Sequence, residues 1–558
     1  MRAAIAALLT AAVGAVLAAL TPPAITPAER DAAETIRAAN LVTDVRFLAS
    51  DLLEGRGPAT RGDRLARAYI VSRFEGLGLE PGAPGGGWEQ PFDLLGVTTR
   101  SPETIRFERG DARTELRLLD DYVAFAGVAR PEVRLEAAEV VFAGYGIVAP
   151  EFSWDDYGGA DVRGKVLLVM NNDPEDDPAL FGGKTRLYYG RWDYKYEEAA
   201  RQGAAGAVVI HTTPSAGYRW QVVRTSWTGE QFSLPGSGDG GLPVKAWATE
   251  EACRRIVALA GHDLDTLRAA ARRRGFRPVP LGVTLSLELK NEVGRKQSAN
   301  VVARLPGRDP ELAREAVLYT AHHDHLGVRT GTGAGDDTIF NGALDNASGV
   351  AALLAIAEAM KVLAEPPRRT VLFAAVGAEE QGLLGSRYLA AHPPVPAGRL
   401  AANINVDGVN IWGRTRDVIA IGLGKSSLDD WIRALAAVQG REVVADPFPD
   451  RGSFYRSDQL SFARIGVPAA YLKPGTRALD RPPGWAREQQ DRFVAAHYHQ
   501  PSDELRDDWD LSGAVEDARI LFWLGAKVAS TPTLPAWRPG DEFEAARKEA
   551  LAEAAGRP

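Results

Sequence analysis

Disulfides are excluded from this chain. Of its 558 residues only one, Cys253, is a cysteine, so no intramolecular bridge can form and CxxC-type zinc or redox patterns cannot be built. A basic surplus is missing as well. With 65 Lys+Arg against 73 Asp+Glu the formal net charge is −8, which argues against a nucleic-acid partner, for which a basic field is expected. Long apolar runs are confined to the first twenty residues, so no later stretch is expected to span a membrane. Histidine is scarce, at eight residues, which makes its placement informative. What remains is ordinary for a globular protein. A 45% hydrophobic, 25% charged composition excludes disorder, collagen and coiled coil. The length suggests roughly three or four domain-sized units, or one large core with an insertion.

Residues 1–20, MRAAIAALLTAAVGAVLAAL, set Arg2 ahead of an Ala/Leu/Val run, and the turn-like TPPAITPAER follows. This is the form of a secretory signal peptide with a small-residue cleavage site between Ala18 and Ala24. An uncleaved anchor is the alternative, because the run approaches the ~20 residues of a bilayer span. No cysteine follows the run, which excludes a lipidated one. The expectation is an exported protein, periplasmic or secreted, with no stable membrane span after cleavage. Without disulfides, such a protein is held by its core alone or by core plus metal.

Three styles of patterning follow. Residues 25–95 carry apolar positions at helical spacing in two stretches, one around DAAETIRAANLVTDVRFLASD and one around RGDRLARAYIVSRFEGLGL, and 97–135 carry short alternating runs such as TIRFERG and TELRLLDDYVAF. From about 137, EVVFAGYGIVAP, GKVLLVMNN, GAVVIHTT and LPVKAWAT are strand-like, with the helical YKYEEAARQGAAG between the second and third. They form a compact α+β unit ending near 275. From about 282, near-continuous apolar runs (AVLYTAHHDHLG, TVLFAAVGAEE, LAANINVDGV, VPAAYLK) alternate with helical patterns such as NASGVAALLAIAEAMKVLAE. That alternation predicts an α/β fold with a mostly parallel central sheet, buried on both faces and flanked by helices. The charged, Ala-rich residues 535–558 read as a surface helix or frayed tail.

Five of the eight histidines fall into two clusters: His322, His323 and His325, then His497 and His499. The first cluster ends AVLYTA, TVLFAAVG runs into Glu379 and Glu380, and LAANINV runs into Asp407. If these runs are parallel strands, their polar residues emerge together at the carboxyl edge, where open α/β sheets place ligands. Asp345 precedes an apolar helix. Taken alone, it reads as a cap, the two glutamates read as a solvated helix start, and one histidine reads as a packed imidazole. Together they sum to imidazole plus carboxylate without thiolate, a donor set that zinc takes, often in pairs that share a bridging carboxylate. Asp324, two residues after His322, suits the role of fixing an imidazole tautomer.

The strings AHHDHLG, NGALDNASGV, AEEQGLLGS, NVDGV and YHQPSDE occur in this order. Together they resemble the M28 family of di-zinc peptidases, over roughly residues 30–130 and 282–530. The segment 137–275 resembles the protease-associated (PA) domain inserted in such enzymes, on GKVLLV and EEAARQGAAGAVVI. The resemblance implies a zinc-peptidase fold with a smaller β-rich PA-like insert. It divides the chain into a leader (1–25), the N-terminal part of the catalytic domain (26–136), the insert (137–280), the catalytic domain (281–535) and a tail (536–558). It further implies two Zn²⁺, with other divalent ions possible: one held by His322 and Asp407, the other by Glu380 and His499, and Asp345 bridging. Glu379 becomes the general base and Asp324 the residue orienting His322. His323 and His497 become non-ligating, Asp458 a supporting group and Tyr455 a candidate partner of the reacting carbonyl.

The implied activity is a metallo-aminopeptidase acting on peptides with a free N-terminus. Alternatives are a carboxypeptidase, which needs a basic pocket and has Arg387 and Arg456 as candidates, a one-zinc glutaminyl cyclase, and a non-catalytic binding ectodomain. Tyr188, Tyr189, Trp192, Tyr218 and Trp220 of the insert are candidates for a peptide groove or for simple packing.

Overall fold

Apolar runs without alternation can bury both faces of a sheet, and two do so side by side at its centre. Ala316–His322 and Thr370–Val376 are buried at every position. They run parallel and in register, from Ala316 opposite Thr370 to His322 opposite Val376. Leu400–Asn405 pairs parallel on the free side of Ala316–His322, and Ala469–Pro474 pairs parallel beyond it. The margins are antiparallel. The end of the long strand Val279–Leu305 borders Thr370–Val376, and Asp417–Ala420 borders Ala469–Pro474. The computed structural model describes residues 24–177, 180–236, 241–330, 335 and 337–556. The expected leader lies outside them except for its last two residues.

The strand period of two assigns side chains to layers. Val317, Tyr319 and Ala321 face a core built on the helices Ala38–Leu48, Ser348–Lys361 and Ser512–Ser530. Ala316 and Leu318 face the opposite layer with Leu389 and Phe462. The stretch Ala343–Lys361 is long and apolar enough to cross a membrane, contrary to the sequence expectation, but 89% of it is buried in the fold, so its hydrophobicity belongs to the core. At the C-terminus, helix Glu544–Ala555 is anchored rather than frayed. Trp537 and Phe543 are buried ahead of it, and buried Arg547 donates to the Leu400 carbonyl at 3.0 Å.

A second, smaller sheet lies between the two halves of the main unit in sequence. Glu132–Phe142, Val166–Met170, Gly206–His211 and Val244–Thr249 are parallel neighbours, and Tyr122–Ala126 adds antiparallel at the edge. This sheet has its own core, with Phe142, Leu168, Ile210 and Ile256 on one face and Val141, Leu167, Val209 and Trp247 on the other. Val279–Leu305 belongs to both sheets. Its first half pairs with Thr104–Arg109 and Glu132–Phe142, and its second half with Glu89–Arg100 and Thr370–Val376. Reading 26–136 as one piece puts Thr104–Arg109, Ala112–Arg117 and Tyr122–Ala126 in the main unit, yet Ile105, Phe107, Leu116 and Tyr122 pack in the second core. Strand patterning shows that a segment is a strand but not which sheet receives it. We infer a boundary for the inserted unit near residue 97.

Candidate metal centre

The carboxyl ends of three parallel strands deliver most of the site. His322 is the last residue of its strand. Thr370–Val376 passes through Gly377 into Ala378, whose left-handed φ of 57° turns the chain so that Glu379 and Glu380 leave the sheet edge. Asp407 follows Leu400–Asn405 by two residues. Asp345 enters from an irregular turn ahead of helix Ser348–Lys361, with a cis peptide bond to Asn346. Asn346 rather than Asp345 does the capping, accepting the Gly349 amide at 3.0 Å. His499 comes from the loop after helix Trp485–Ala496.

These side chains meet around Asp345. Its Oδ1 lies 3.2 Å from His322 Nε2, and its Oδ2 lies 3.3 Å from His499 Nε2. Asp407 Oδ1 completes the first group at 3.7 Å from His322 Nε2, and Glu380 Oε2 completes the second at 3.2 Å from His499 Nε2. Glu379 Oε2 is 3.9 Å from His322 Nε2. His322, Asp345 and Asp407 each offer a ligand atom within 4.8 Å of the others. The nitrogen and oxygen donors suit zinc or another divalent ion, and one carboxylate facing two histidines with different oxygens suits a bridging ligand.

The groups behind the ligands were only partly visible in sequence. Asp324 approaches His322 Nδ1 to 3.9 Å with its carboxylate and 3.2 Å with its carbonyl. Its carboxylate instead accepts the amides of Glu379 at 3.0 Å and Glu380 at 3.3 Å, so it positions the Glu-Glu turn as well as facing the histidine. Asp503, within YHQPSDE but not singled out from it, accepts the amides of Leu344 at 2.9 Å and Asp345 at 3.1 Å. His325 holds the other oxygen of Glu380 through Nδ1 at 2.7 Å. Both sit inside motifs already recognised, so position within the motif was the available signal. His323 points away, with Nε2 3.0 Å from buried Asp63. His497 pairs with Ser502 and Arg506 outside the cluster. Tyr455 bonds Glu542 and is buried away from the ligands. Tyr471 is the tyrosine at the site, donating to Asp407 Oδ2 at 3.2 Å, and Lys473 donates to the Asp407 carbonyl at 2.7 Å.

Arg56 lies beneath the cluster, 1% exposed. It donates to the carbonyls of His323 at 2.8 Å, Asn341 at 2.6 Å, Gly342 at 2.9 Å and Leu48, tying together the two segments that carry His322 and Asp345. Arg56→Met is expected to leave these buried carbonyls unpaired and cost about 3–5 kcal/mol. A urea midpoint unchanged from the parent protein would contradict that role.

The field at the site is strongly negative. Burial works against a charge on His322, yet Glu379, Asp345 and Asp407 hold it well above its ordinary range. Burial raises Glu379 well above the usual carboxylate range, with Glu380, Asp458 and Asp407 adding to it and His322 opposing. Burial likewise pushes Glu380 up to about 8. Asp458, fully buried, rises to about 7 through burial and its acidic neighbours Asp324 and Asp407, with His322 and Ser386 opposing. A crowd of carboxylates that cannot all ionise comfortably is a site that attracts a divalent cation.

The clustered side chains open into a cavity of about 350 Å³ whose other wall comes largely from the inserted unit, including Phe125, Trp192, Tyr218 and Trp227. Of the candidate groove aromatics, Trp192 and Tyr218 line it, whereas Trp220 donates to the Leu119 carbonyl at 2.7 Å and Tyr188 bonds Glu197. Of the basic-pocket candidates, Arg456 lines the cavity and Arg387 does not, and Arg191, Lys245, Arg451 and Lys473 join Arg456 in a basic group that sequence spacing did not show. A smaller cavity of about 230 Å³ adjoins Asp345 and Asp407 and is walled by Val409, Trp412, Ile419, Ile421, Phe448 and Phe493.

Residues 300–522 match the sequence profile of peptidase family M28. Aminopeptidase NAALADL1 of Mus musculus is 30% identical over 185 residues, 28% of this chain and 23% of that protein. Aminopeptidase YwaD of Bacillus subtilis (strain 168) is 25% identical over 218 residues, 39% of this chain and 40% of that protein. The matched segments thus span well under half the length of these curated relatives. In fold, the chain is similar to the aminopeptidase from Aneurinibacillus sp. strain AM-1, with a TM-score of 0.55 and 21% identity, covering 91% of this chain and 97% of that one. Taken with the parallel sheet and the histidine–carboxylate cluster at its carboxyl edge, the profile match identifies residues 300–522 as a peptidase family M28 domain.

Proposed function

We propose that the protein is an exported di-zinc aminopeptidase that removes apolar N-terminal residues from peptides. The observation that carries the metal chemistry is Asp345, whose two oxygens face His322 and His499 separately. His322 and Asp407 would hold one zinc, Glu380 and His499 the other, and Asp345 both. Zinc bound there would supply Lewis acidity, lowering the pKa of a water and polarising the scissile carbonyl. Glu379 lines the cavity beside His322 and would take the proton of the attacking water, then return it to the leaving amine. Asp324 fixes the backbone of that glutamate, so the base is held by its main chain while its carboxylate faces the cavity.

The direction of attack rests on two supports. The relatives named above are aminopeptidases, and the apolar cavity beside Asp345 and Asp407 suits the side chain of an apolar terminal residue. Net charge does not decide it. The carboxylates favour an α-amine, but the basic wall of Arg191, Lys245, Arg451, Arg456 and Lys473 offers an equally good partner for a carboxylate. That wall favours a carboxypeptidase as the second reading.

Peptides modified at either end separate the two. Leucyl chromogenic substrates should be cleaved, and N-acetylation should cost on the order of 100-fold or more in kcat/KM, the loss of a charge-assisted contact worth about 3 kcal/mol. C-terminal amidation should at most raise KM. Equal cleavage of acetylated and free peptides, with activity lost on amidation, would instead establish carboxypeptidase action. Export rests on residues 1–25 alone. Mass measurement of the protein recovered outside the cytoplasm should show their removal, and retention of the intact leader in the membrane fraction would favour the anchor.

A further inference from the structure

The inserted unit meets the loop that carries His499 through two adjacent residues, Thr225 and Ser226. Its helix Trp220–Ser226 ends against the loop that carries His499. Ser226 Oγ lies 2.7 Å from His499 Nδ1, on the far side of the ring from Asp345 and Glu380. The preceding residue, Thr225, is 1% exposed and donates its hydroxyl to the His499 carbonyl at 2.9 Å. Gln500 Nε2 donates to the same carbonyl at 2.7 Å and approaches Thr225 Oγ1 at 3.4 Å. His499 itself sits at φ 55°, a left-handed conformation sparsely populated by residues other than glycine, and such a backbone persists only where its surroundings hold it.

We infer that Ser226 is a positioning residue for the second metal position, so that the inserted unit is part of the metal centre and not only its roof. This rests on the metal reading above. For His499 Nε2 to present a lone pair toward Asp345 and Glu380, the ring proton must sit on Nδ1, where the Ser226 hydroxyl accepts it. Ser226 thereby selects the ligating tautomer and fixes the ring plane, while Thr225 and Gln500 hold the backbone beneath it. Partners of this kind behind metal-ligating histidines typically change metal affinity by about 10–100-fold when removed. By linkage, an ion bound at His499 tightens the seating of the insert by the same factor.

The test compares Ser226→Thr with Ser226→Val, two side chains of nearly equal size of which only threonine keeps the hydroxyl, so any packing defect is common to both. Zinc affinity is read by competition with a graded chelator, and ion content by metal analysis. Ser226→Thr should bind both ions with affinities near those of the parent protein. Ser226→Val should lose about 10–100-fold at one position and nothing at the other. Equal affinities in the two variants, whether both unchanged or both reduced, would overturn the inference. A parent protein that binds no divalent ion would overturn the metal reading itself, a result seen before either variant is compared.

Discussion

Glu379→Gln is expected to bind metal as the parent protein does and to lose about 10²–10⁴-fold in kcat. The amide reproduces the shape and most of the polarity of the carboxylate but cannot take a proton. The backbone should not move, because the Glu379 amide is held by Asp324, which the substitution leaves intact. Glu380→Gln should behave in the opposite way. Glu380 sits between His499, 3.2 Å from Oε2, and His325, 2.7 Å from Oε1, so its replacement weakens one metal position before it touches the chemistry. The two glutamates are adjacent, and the side chains of both are little exposed. A third close grouping, His322 with Glu379 and Glu380, shows that distance alone does not tell base from ligand. Metal content together with kcat does. If Glu379→Gln lost metal while Glu380→Gln kept it and was inactive, the two roles would be exchanged.

What could be read in the sequence divides along a physical line. The central sheet was legible because a strand buried on both faces is apolar along most of its length, and AVLYTA, TVLFAAV and LAANI are nearly so. The site was legible for a related reason. The polar residues that end such runs stand where the strands stop, and in parallel strands that is one common edge, where His322, Glu379, Glu380 and Asp407 stand. Contacts set by tertiary packing were not legible. Nothing local in Ile105 or Phe107 reveals that their strand joins the inserted sheet. Nothing local in Tyr471 distinguishes it from Tyr455, yet one bonds Asp407 and the other bonds Glu542. Ser226 is separated from His499 by 273 positions, and the basic wall of the cavity is drawn from four separate stretches of chain. The side chains that carry chemistry stood in motifs, whereas those that position them mostly did not.

Asp345→Ala is expected to abolish metal binding at both positions, whereas Asp407→Ala should spare one. Asp345 turns one oxygen to His322 and the other to His499. Asp407 approaches His322 alone and is otherwise held by Tyr471 and Lys473. Metal analysis after dialysis should therefore give about two ions per chain for the parent protein, about one for Asp407→Ala and close to none for Asp345→Ala. Thermal stability supplies a readout independent of catalysis. An ion that binds only the folded chain stabilises it by roughly 4 kcal/mol at a thousandfold excess over Kd. Buried carboxylates that repel one another without a cation should make the dependence steeper. Saturating zinc should raise the Tm of the parent protein, a chelator should lower it, and Asp345→Ala should respond to neither. Retention of two ions by Asp345→Ala, or a parent Tm indifferent to chelation, would remove the bridging carboxylate from the centre of the site.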